Sequence, residues 1–242
     1  MYRQIADALK AAIDAGQYGP GDRLPGENPL AAEHGVAVMT ARQALRTLAA
    51  EGVAESRKGA GFFVLAPFTP IRRRGVARLA REQWSSGASI FSADDSRDLT
   101  VESRVLGPVT PPDEIADVLQ LDADGRAFGR YRRHIVEDRP VLVSTSYLPL
   151  ALVEGTAMAE ADPGPGGIYA RLADLGFAPA RFREEIQVRM PSADERAALN
   201  LSGGTPVIKV CRTAYTDEGR VVEVNEMTLD SQAYVLEYDF DA

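Results

Sequence analysis

The sequence predicts an α+β protein, with a small helical unit at the N-terminus and a larger antiparallel-sheet unit after it. Three observations lead to this prediction. Residues 24–64 carry apolar positions at helical spacing, followed by two short apolar runs around a glycine-rich turn. Runs such as 100–106 and 182–188 alternate between apolar and polar residues, which is typical of strands. The part of the chain after residue 90 also contains an internal repeat.

Composition is that of an ordinary globular chain. Its 242 residues suffice for two modest domains, and 45% of them are hydrophobic. No apolar run approaches the roughly 20 residues that span a bilayer, and a helical pattern starts at the N-terminus, so we expect no membrane contact and a cytoplasmic location. Cys211 is the only cysteine, and His34 and His134 are the only histidines. We therefore expect no disulfide, no metal site and no cofactor.

Charge is distributed unevenly along the chain. Residues 1–66 are neutral overall, residues 67–84 carry +4 and residues 85–242 carry −12, which gives the total of −8. Because phosphate would repel the acidic part, any contact with a nucleic acid is expected in the N-terminal part. We expect domains at 1–66 and 90–242, joined by a linker.

The expected linker, residues 67–89, begins with two prolines that stiffen it. Its triple arginine, Arg72–Arg74, fits a path along phosphate and a solvated charge run equally well. Residues 76–84 are expected to form a short helix.

Three helices and a hairpin are expected in the N-terminal domain. Ile5, Leu9 and Ile13 recur every four residues and predict the first helix, over about 2–15. The second helix lies between Asn28, its expected N-cap, and Gly35. A third helix is expected over about 38–50, followed by strands at 53–56 and 62–64.

This order of helix, turn, helix and hairpin is the layout of a winged helix-turn-helix. In that motif the second helix of the pair, here the third helix of the domain, enters the major groove of DNA. Arg42 suits a guanine edge or a phosphate, and Gln43 suits adenine. An exposed helix also carries arginine and glutamine merely for solubility, and a glycine-rich tip is also ordinary in hairpins. The candidate DNA contacts are Met39, Thr40, Arg42, Gln43, Arg46, Arg57, Lys58, Gly59 and Gly61.

Four short segments together resemble the GntR family of bacterial transcription regulators: 24–27 (LPGE), 35–36 (GV), 39–45 (MTARQAL) and 57–61 (RKGAG). The resemblance implies sequence-specific binding to double-stranded DNA, a palindromic operator and a homodimer, with the hairpin touching the minor groove. Asn28 and Val38 stand where members often have basic residues. We therefore expect an altered or weaker operator interaction.

The repeat in the C-terminal part has a spacing of eighty residues, and its members include Pro111 and Pro191, Arg132 and Arg212, and Val141 and Val221. Each copy predicts a strand, a capped helix and a long hairpin. The expected helices are at about 112–119, 167–175 and 192–199, and the hairpin turns at 137–140 and 216–219.

One strand face differs between the two copies. In the second copy it carries Ile208, Val210 and Ala214, which should be core. In the first copy it carries Phe128 followed by Arg130, Arg132 and His134, and three such groups are costly to bury without partners. The partner is either an anionic ligand or acidic groups of the chain such as Glu223 or Glu226. The glycine-rich run at 162–169 is compatible with anion binding at a helix N-terminus, although an ordinary loop explains it as well.

This C-terminal arrangement resembles the UTRA effector-binding domain of the HutC subgroup of GntR regulators, which shares its fold with chorismate lyase. The resemblance implies a small-molecule effector, with Arg132 and His134 at its acidic group. Ser144 and Gly167 replace residues common in sugar-phosphate-binding members, so their ligand is not carried over. The candidate effector-binding residues are Arg130, Arg132, His134, Ser144, Tyr169 and Glu223.

Three functions are compatible with these patterns. The first is a DNA-binding regulator, a repressor whose operator affinity is modulated by a small anionic metabolite. The second is a constitutive DNA-binding dimer without a ligand. The third is an enzyme of chorismate-lyase-like fold, but no nucleophile–base pair or metal set supports it, so we expect no catalytic residues.

Overall fold

The computed structural model describes residues 1–57, 59–66, 68–75, 77–122 and 124–239. No helix in these ranges is long and apolar enough to cross a membrane. The predicted α+β class is confirmed, because a helical N-terminal region precedes an antiparallel sheet.

The chain divides into two compact units. The first unit comprises Met1–Thr69 and Leu201–Thr205, and the second comprises Pro70–Asn200 and Pro206–Ala242.

Three helices and a hairpin form most of the first unit, in the order predicted. The elements are α1 (Tyr2–Asp14), α2 (Glu27–His34), α3 (Val38–Ala50), β1 (Ala54–Arg57) and β2 (Gly61–Val64). The inward face of α3, with Ala41, Leu45 and Leu48, is fully buried. It packs with Ile5 and Leu30 in one hydrophobic core.

Helix α2 begins earlier than the sequence predicted. Its N-cap is Gly26, in an extended conformation, and Leu30 N donates to Gly26 O at 3.0 Å. Asn28 therefore lies inside the helix and does not cap it. The helix ends at Gly35 with a φ of +62°, a left-handed conformation that favours glycine.

A third chain segment extends the β1–β2 hairpin, and the sequence did not predict it. Gly21 N donates to Val64 O at 2.9 Å, Val64 N donates to Asp22 O at 2.8 Å, and Leu24 N donates to Phe62 O at 2.8 Å. Arg23 forms an antiparallel bridge with Phe63. The hairpin is therefore held on its β2 side by the residues that precede α2.

Six long strands build the sheet of the second unit: β4 (Leu99–Val109), β5 (Ala127–Val136), β6 (Arg139–Pro149), β7 (Arg181–Arg189), β8 (Val207–Tyr215) and β9 (Val221–Asp230). Two short strands form a separate pair: β3 (Ile71–Arg74) and β10 (Tyr234–Glu237). The helices are α4 (Arg81–Ser85), α5 (Asp113–Val118), α6 (Leu150–Val153), α7 (Gly167–Asp174) and α8 (Ala193–Ala198).

The strand order β4-β5-β6-β9-β8-β7 is symmetric about its centre, and every neighbouring pair is antiparallel. Each half contains a strand, a short helix and a hairpin, as the repeat predicted. Gln120 and Asn200, which follow α5 and α8, share a left-handed conformation with φ of +55° and +51°. The two copies therefore agree in backbone detail as well as in order.

Residues of the expected linker contain regular structure from Ile71 onward. Strand β3 pairs in parallel with β10, from Ile71 with Tyr234 to Arg74 with Glu237. The single helix expected over 76–84 is instead a 3₁₀ turn at Ala77–Leu79 followed by α4, because Ala80 is extended. Trp84 on α4 is only 1% exposed.

The core of the second unit lies between one face of the sheet and α7. Trp84 packs edge-on against Tyr169, with ring centroids 6.2 Å apart. Leu148, Met158 and Leu172 are fully buried in the same cluster. This packing places the segment around α4 and the start of α7 over the sheet, where a cavity remains.

Candidate functional site

The outward face of α3 carries the residues that the sequence predicted for DNA contact. Met39 is 63% exposed, Gln43 and Arg46 are exposed, and Thr40 and Arg42 are half-buried. In the hairpin, Gly59 and Gly61 have φ of +74° and +108°, which require glycine. The predicted contact Lys58 lies outside the described residues.

Arg42 is held by a bidentate ion pair with Glu27. Its Nε donates to Oε1 at 2.8 Å and its Nη2 donates to Oε2 at 2.7 Å. The hydrogen bonds from Arg42 lower the pKa of Glu27, and those same bonds raise the pKa of Arg42. The guanidinium therefore keeps a defined orientation at the start of α3, and its side chain is 39% exposed.

Arg57, at the end of β1, lies over the ring of Phe63 at 4.2 Å from its centroid and donates to Glu55 at 2.7 Å. Arg46 has no hydrogen bond or ion pair with the described part of the chain. These exposed cations suit phosphate oxygens, because neither is engaged in a buried structural bond.

In the second unit, a cavity of about 700 Å³ opens on the sheet face beneath α7. The structure brings all six predicted effector-binding residues to its wall. They are Arg130, Arg132, His134, Ser144, Tyr169 and Glu223.

Arg130 holds the wall of the cavity together through hydrogen bonds to backbone carbonyls. Its guanidinium donates to the backbone carbonyls of Met158 and Glu160, and to Ala161 O at 2.9 Å. The side chain is 3% exposed, and burial lowers its pKa. These bonds fix the 158–161 segment and occupy both terminal nitrogens of Arg130.

Arg132 remains available to a ligand. Its Nη2 donates to Ser146 Oγ at 3.1 Å, while its buried Nε has no hydrogen-bond partner among the described residues. Burial lowers its pKa, which shows how poorly its charge is solvated. Ser144 lies directly opposite Arg132 on β6.

Burial favours the neutral form of His134, which leaves Arg130 and Arg132 as the cations of the three basic or titratable side chains on this face. Burial, reinforced by Arg132 and Arg78, lowers its pKa to about 3. Its ring packs edge-on against Phe91, 6.2 Å between centroids, and Nδ1 has no partner in the described chain. A neutral imidazole offers one donor and one acceptor.

Tyr169 and Glu223 form a buried polar pair. The Tyr169 hydroxyl donates to Glu223 Oε2 at 2.6 Å, and burial raises the pKa of that hydroxyl far above its usual range. Glu223 is 0% exposed, and its Oε1 has no hydrogen-bond partner within the described residues. Of the two carboxylates considered as internal partners, only Glu223 faces the cavity, because Glu226 pairs with Lys209 at 2.5 Å.

Arg212 also lines the cavity, although the sequence analysis did not list it as a site residue. It is 4% exposed, lies 4.0 Å from Glu223 and 5.6 Å from the centroid of the Tyr169 ring. Its Nε and Nη1 have no hydrogen-bond partners in the described ranges. The repeat contained the signal, since Arg212 corresponds to Arg132 at the spacing of eighty residues.

Two further arginines come from the segment that was expected to be a linker. Arg73 on β3 is 1% exposed and forms a two-bond pair with Glu184. Arg78 donates to Asp94 at 2.7 Å, and burial lowers its pKa to about 10. The sequence did not predict either role, because the triple arginine that contains Arg73 fitted a phosphate path and a solvated charge run equally well, and Arg78 lay in an expected short helix.

The described cavity wall carries an excess of positive charge. Five arginines and three carboxylates line the cavity, and a fourth carboxylate pairs with Arg73 behind the wall. The net charge of these groups is +1. The carboxylates are Asp94, Asp162, Glu184 and Glu223. The N-terminus of α7 with its glycine-rich approach, Gly164–Gly167, also lines the cavity, so helix amides add to the positive field.

Comparison with known proteins assigns both units. Residues 1–64 match the model of bacterial regulatory proteins of the gntR family, and residues 95–235 match the model of the UTRA domain. The chain belongs to the GntR family of bacterial regulators. Within this family it is of the type that carries a UTRA domain, and the suspected family resemblance is confirmed.

Relatives of the GntR family cover nearly the whole chain. An uncharacterized HTH-type transcriptional regulator of Streptomyces coelicolor, SCO4628, is 30% identical over 99% of this chain and 92% of its own. The mannosyl-D-glycerate transport/metabolism system repressor MngR of Escherichia coli is 26% identical over 97% of this chain and 93% of its own. A crystal structure described as a GntR-family regulator has a TM-score of 0.62 and 27% identity, covering 100% and 97% of the two chains. The chain is therefore a DNA-binding transcriptional regulator of GntR/UTRA type, and it is not an enzyme.

Proposed function

We propose that this regulator is a cytoplasmic repressor whose affinity for its operator depends on a small anionic metabolite in the cavity of the second unit. One observation carries the proposal. The cavity presents buried arginine donors that the described protein groups leave unused, in a chain whose first unit exposes a helix suited to the major groove. Related regulators include MngR, which is named as a repressor.

The proposed DNA contacts lie on α3 and in the hairpin. Arg42 and Gln43 read base edges, while Thr40, Arg46, Arg57 and the hairpin glycines approach the backbone. We propose that two copies bind a palindromic operator, because one winged helix-turn-helix domain covers one half-site. Dimerisation is assigned to the sheet of the second unit.

The proposed ligand combines an anionic group with hydroxyl or amine donors. Arg132 Nε and Arg212 Nη1 supply donors for the anion, and the N-terminus of α7 adds amides. Glu223 Oε1 and Asn225 Oδ1 are buried acceptors that lack partners among the described residues, so donors on the ligand match them. A ligand that hydrogen-bonds to both the donors and the acceptors compensates the cost of burying these polar groups without partners.

DNA recognition is tested by selecting a preferred duplex from a random-sequence pool with the full-length protein. Fluorescence anisotropy then compares this selected duplex with an unrelated duplex of equal length. Arg42→Ala should weaken binding to the selected duplex by about 5- to 150-fold, the loss of one bidentate base contact. Arg196→Ala, on exposed α8 of the second unit, is the control and should bind as the wild type does. Selection that enriches no sequence, or unchanged affinity of Arg42→Ala, contradicts the proposed recognition.

Ligand recognition is tested by a thermal-shift screen of phosphorylated and carboxylated metabolites. A hit should raise the melting temperature of the wild type, and Arg132→Ala should abolish that shift. The hit should also change the affinity for the selected duplex. If no compound in the screen alters DNA binding, the protein is a constitutive DNA-binding dimer instead.

A further inference from the structure

We infer that Arg23 is a further DNA contact, binding a backbone phosphate beside the tip of the β1–β2 hairpin. This inference rests on the proposed DNA-binding function of the first unit and adds a site to it. Arg23 precedes α2 in sequence and belongs neither to α3 nor to the β1–β2 hairpin.

The backbone around Arg23 is fixed to the hairpin. Hydrogen bonds of 2.8 to 2.9 Å tie Gly21, Asp22 and Leu24 to β2 on both sides of Arg23. Leu24 is 2% exposed, which anchors the segment in the core. The position of the Arg23 side chain is therefore set by a short sheet and not by a free loop.

The side chain of Arg23 extends along the hairpin to its tip. Arg23 bridges Phe63, and its guanidinium comes within 3.2 Å of the position that a Cβ would take on Gly61. Gly61 is the first residue of β2 and the nearest described strand residue to the turn. The missing side chain at Gly61 is what lets the guanidinium lie against the backbone there.

Two guanidinium groups thus lie on one face of the hairpin. Arg57 pairs with Gly61 across the strands and lies over Phe63, so it shares that face. Arg57 and Arg23 approach the Phe63–Gly61 row from opposite sides. A hairpin tip with cations on both flanks fits the closely spaced phosphates that border a groove.

The charge of Arg23 is not neutralised within the described part of the protein. Lys10 pairs with Glu51, Arg42 with Glu27 and Arg57 with Glu55. Arg23 is exposed and has no ion pair or hydrogen bond with described residues. Since Arg23 gives up no internal bond on binding, the cost of a phosphate contact is the ordering of its side chain and the loss of part of its hydration.

The test measures how DNA affinity depends on salt. Each phosphate contact contributes about 0.9 to the slope of log K against log salt concentration. Fluorescence anisotropy of the full-length protein, on the selected duplex and on an unrelated duplex, should show a slope reduced by about 0.9 for Arg23→Gln. At 0.1 M salt this corresponds to about eightfold weaker binding to both duplexes. Arg23→Lys keeps the charge and should keep the slope, and Arg196→Gln, which removes a charge from the second unit, should keep it too.

An unchanged slope for Arg23→Gln overturns the inference, and so does a loss confined to the selected duplex, because a phosphate contact is sequence-independent. Arg42→Ala separates this result from the proposed function. If Arg42→Ala loses selectivity while Arg23→Gln binds as wild type, recognition by α3 stands and the Arg23 contact fails. If Arg23→Gln lowers the slope while Arg42→Ala has no effect, the Arg23 contact stands and recognition by Arg42 fails. Melting curves confirm that each variant is folded.

Discussion

The carboxylate of Glu27 decides which donors Arg42 can offer to DNA. It accepts from Nε and Nη2, and Nη1 makes a weak contact with Met39 Sδ at 3.6 Å. One hydrogen on each terminal nitrogen therefore remains for the proposed base or phosphate contact. An arginine held in this way loses less side-chain freedom on binding than a free one. Glu27 is therefore a positioning residue for Arg42, and its sequence motif alone did not indicate that role.

Replacing Glu27 with Gln should reduce selectivity. The variant frees Arg42 and removes a negative charge near the duplex, so we expect tighter binding to unrelated DNA and weaker binding to the selected duplex. The ratio of the two affinities, measured by anisotropy at one salt concentration, should fall by about threefold or more. A ratio that rises instead would mean that Glu27 competes with DNA for Arg42.

The stability of the second unit should depend on pH through His134. Its pKa in the folded protein is about 3, below the ordinary 6.5, so the unfolded state binds a proton that the folded state does not. Stability is then lost as pH falls from about 6.5 towards 3, by about 1.4 kcal/mol per pH unit. His134→Gln should lack this component of the slope, and His34→Gln on α2 should retain it. Urea unfolding followed by the fluorescence of Trp84 reports on this unit, and equal slopes in all three proteins would contradict the assignment.

At the scale of secondary structure, the periodicity of the sequence predicted the elements that depend on neighbouring residues. The helical spacing gave α3 from Val38 to Ala50, and the repeat gave the strand–helix–hairpin order of both halves of the sheet. Strands β3 and β10 were not predictable, because each has four residues and their pairing joins parts of the chain that are far apart. For the same reason, the sequence does not predict that Arg73 and Arg78 line the cavity. The position of Arg212 could be predicted, because the repeat relates it to Arg132.

Two neighbouring glycines at the start of α7 should differ in their tolerance of alanine. Both have positive φ, +76° at Gly166 and +64° at Gly167. A Cβ on Gly166 would lie 2.4 Å from the carbonyl oxygen of Trp84 and 2.6 Å from Ala170 Cβ, while Gly167 has open space. We expect Gly167→Ala to cost about 1–2 kcal/mol and Gly166→Ala clearly more. Urea unfolding followed by circular dichroism measures the free energy of unfolding of both variants. Equal losses of stability would show that the backbone at Trp84 shifts easily to make room for the added Cβ.

In the molecule as a whole, the second unit combines a negative net charge with a cavity that is lined by arginines. The sequence from residue 85 onward carries −12, yet the cavity in the second unit is lined by five arginines. An acidic surface disfavours contact of this unit with DNA, while the arginines of its interior suit the anionic ligand proposed above. The segment from Pro70 to Asp94 contributes to this interior, because Arg73, Arg78 and Asp94 all line the cavity.

Fragments of the chain should therefore differ in stability. A fragment of residues 70–242 keeps β3, α4 and the whole cavity, so we expect a cooperative unfolding transition. A fragment of residues 90–242, the boundary suggested by sequence, loses the buried side chains of Ile71, Leu79 and Trp84. Losing the Trp84 side chain alone corresponds to at least about 3 kcal/mol. Scanning calorimetry of both fragments checks this, and matching transitions would show that the segment contributes little.

The path of the chain through β3 has a practical consequence for protein engineering. Chimeric biosensors are made by grafting a foreign reader onto a sensing module. Here a splice near residue 89 would discard two arginines of the cavity in the second unit, together with the strand that carries one of them. A splice just before Pro70 transfers the pocket intact, and it is the junction at which reader modules should be exchanged.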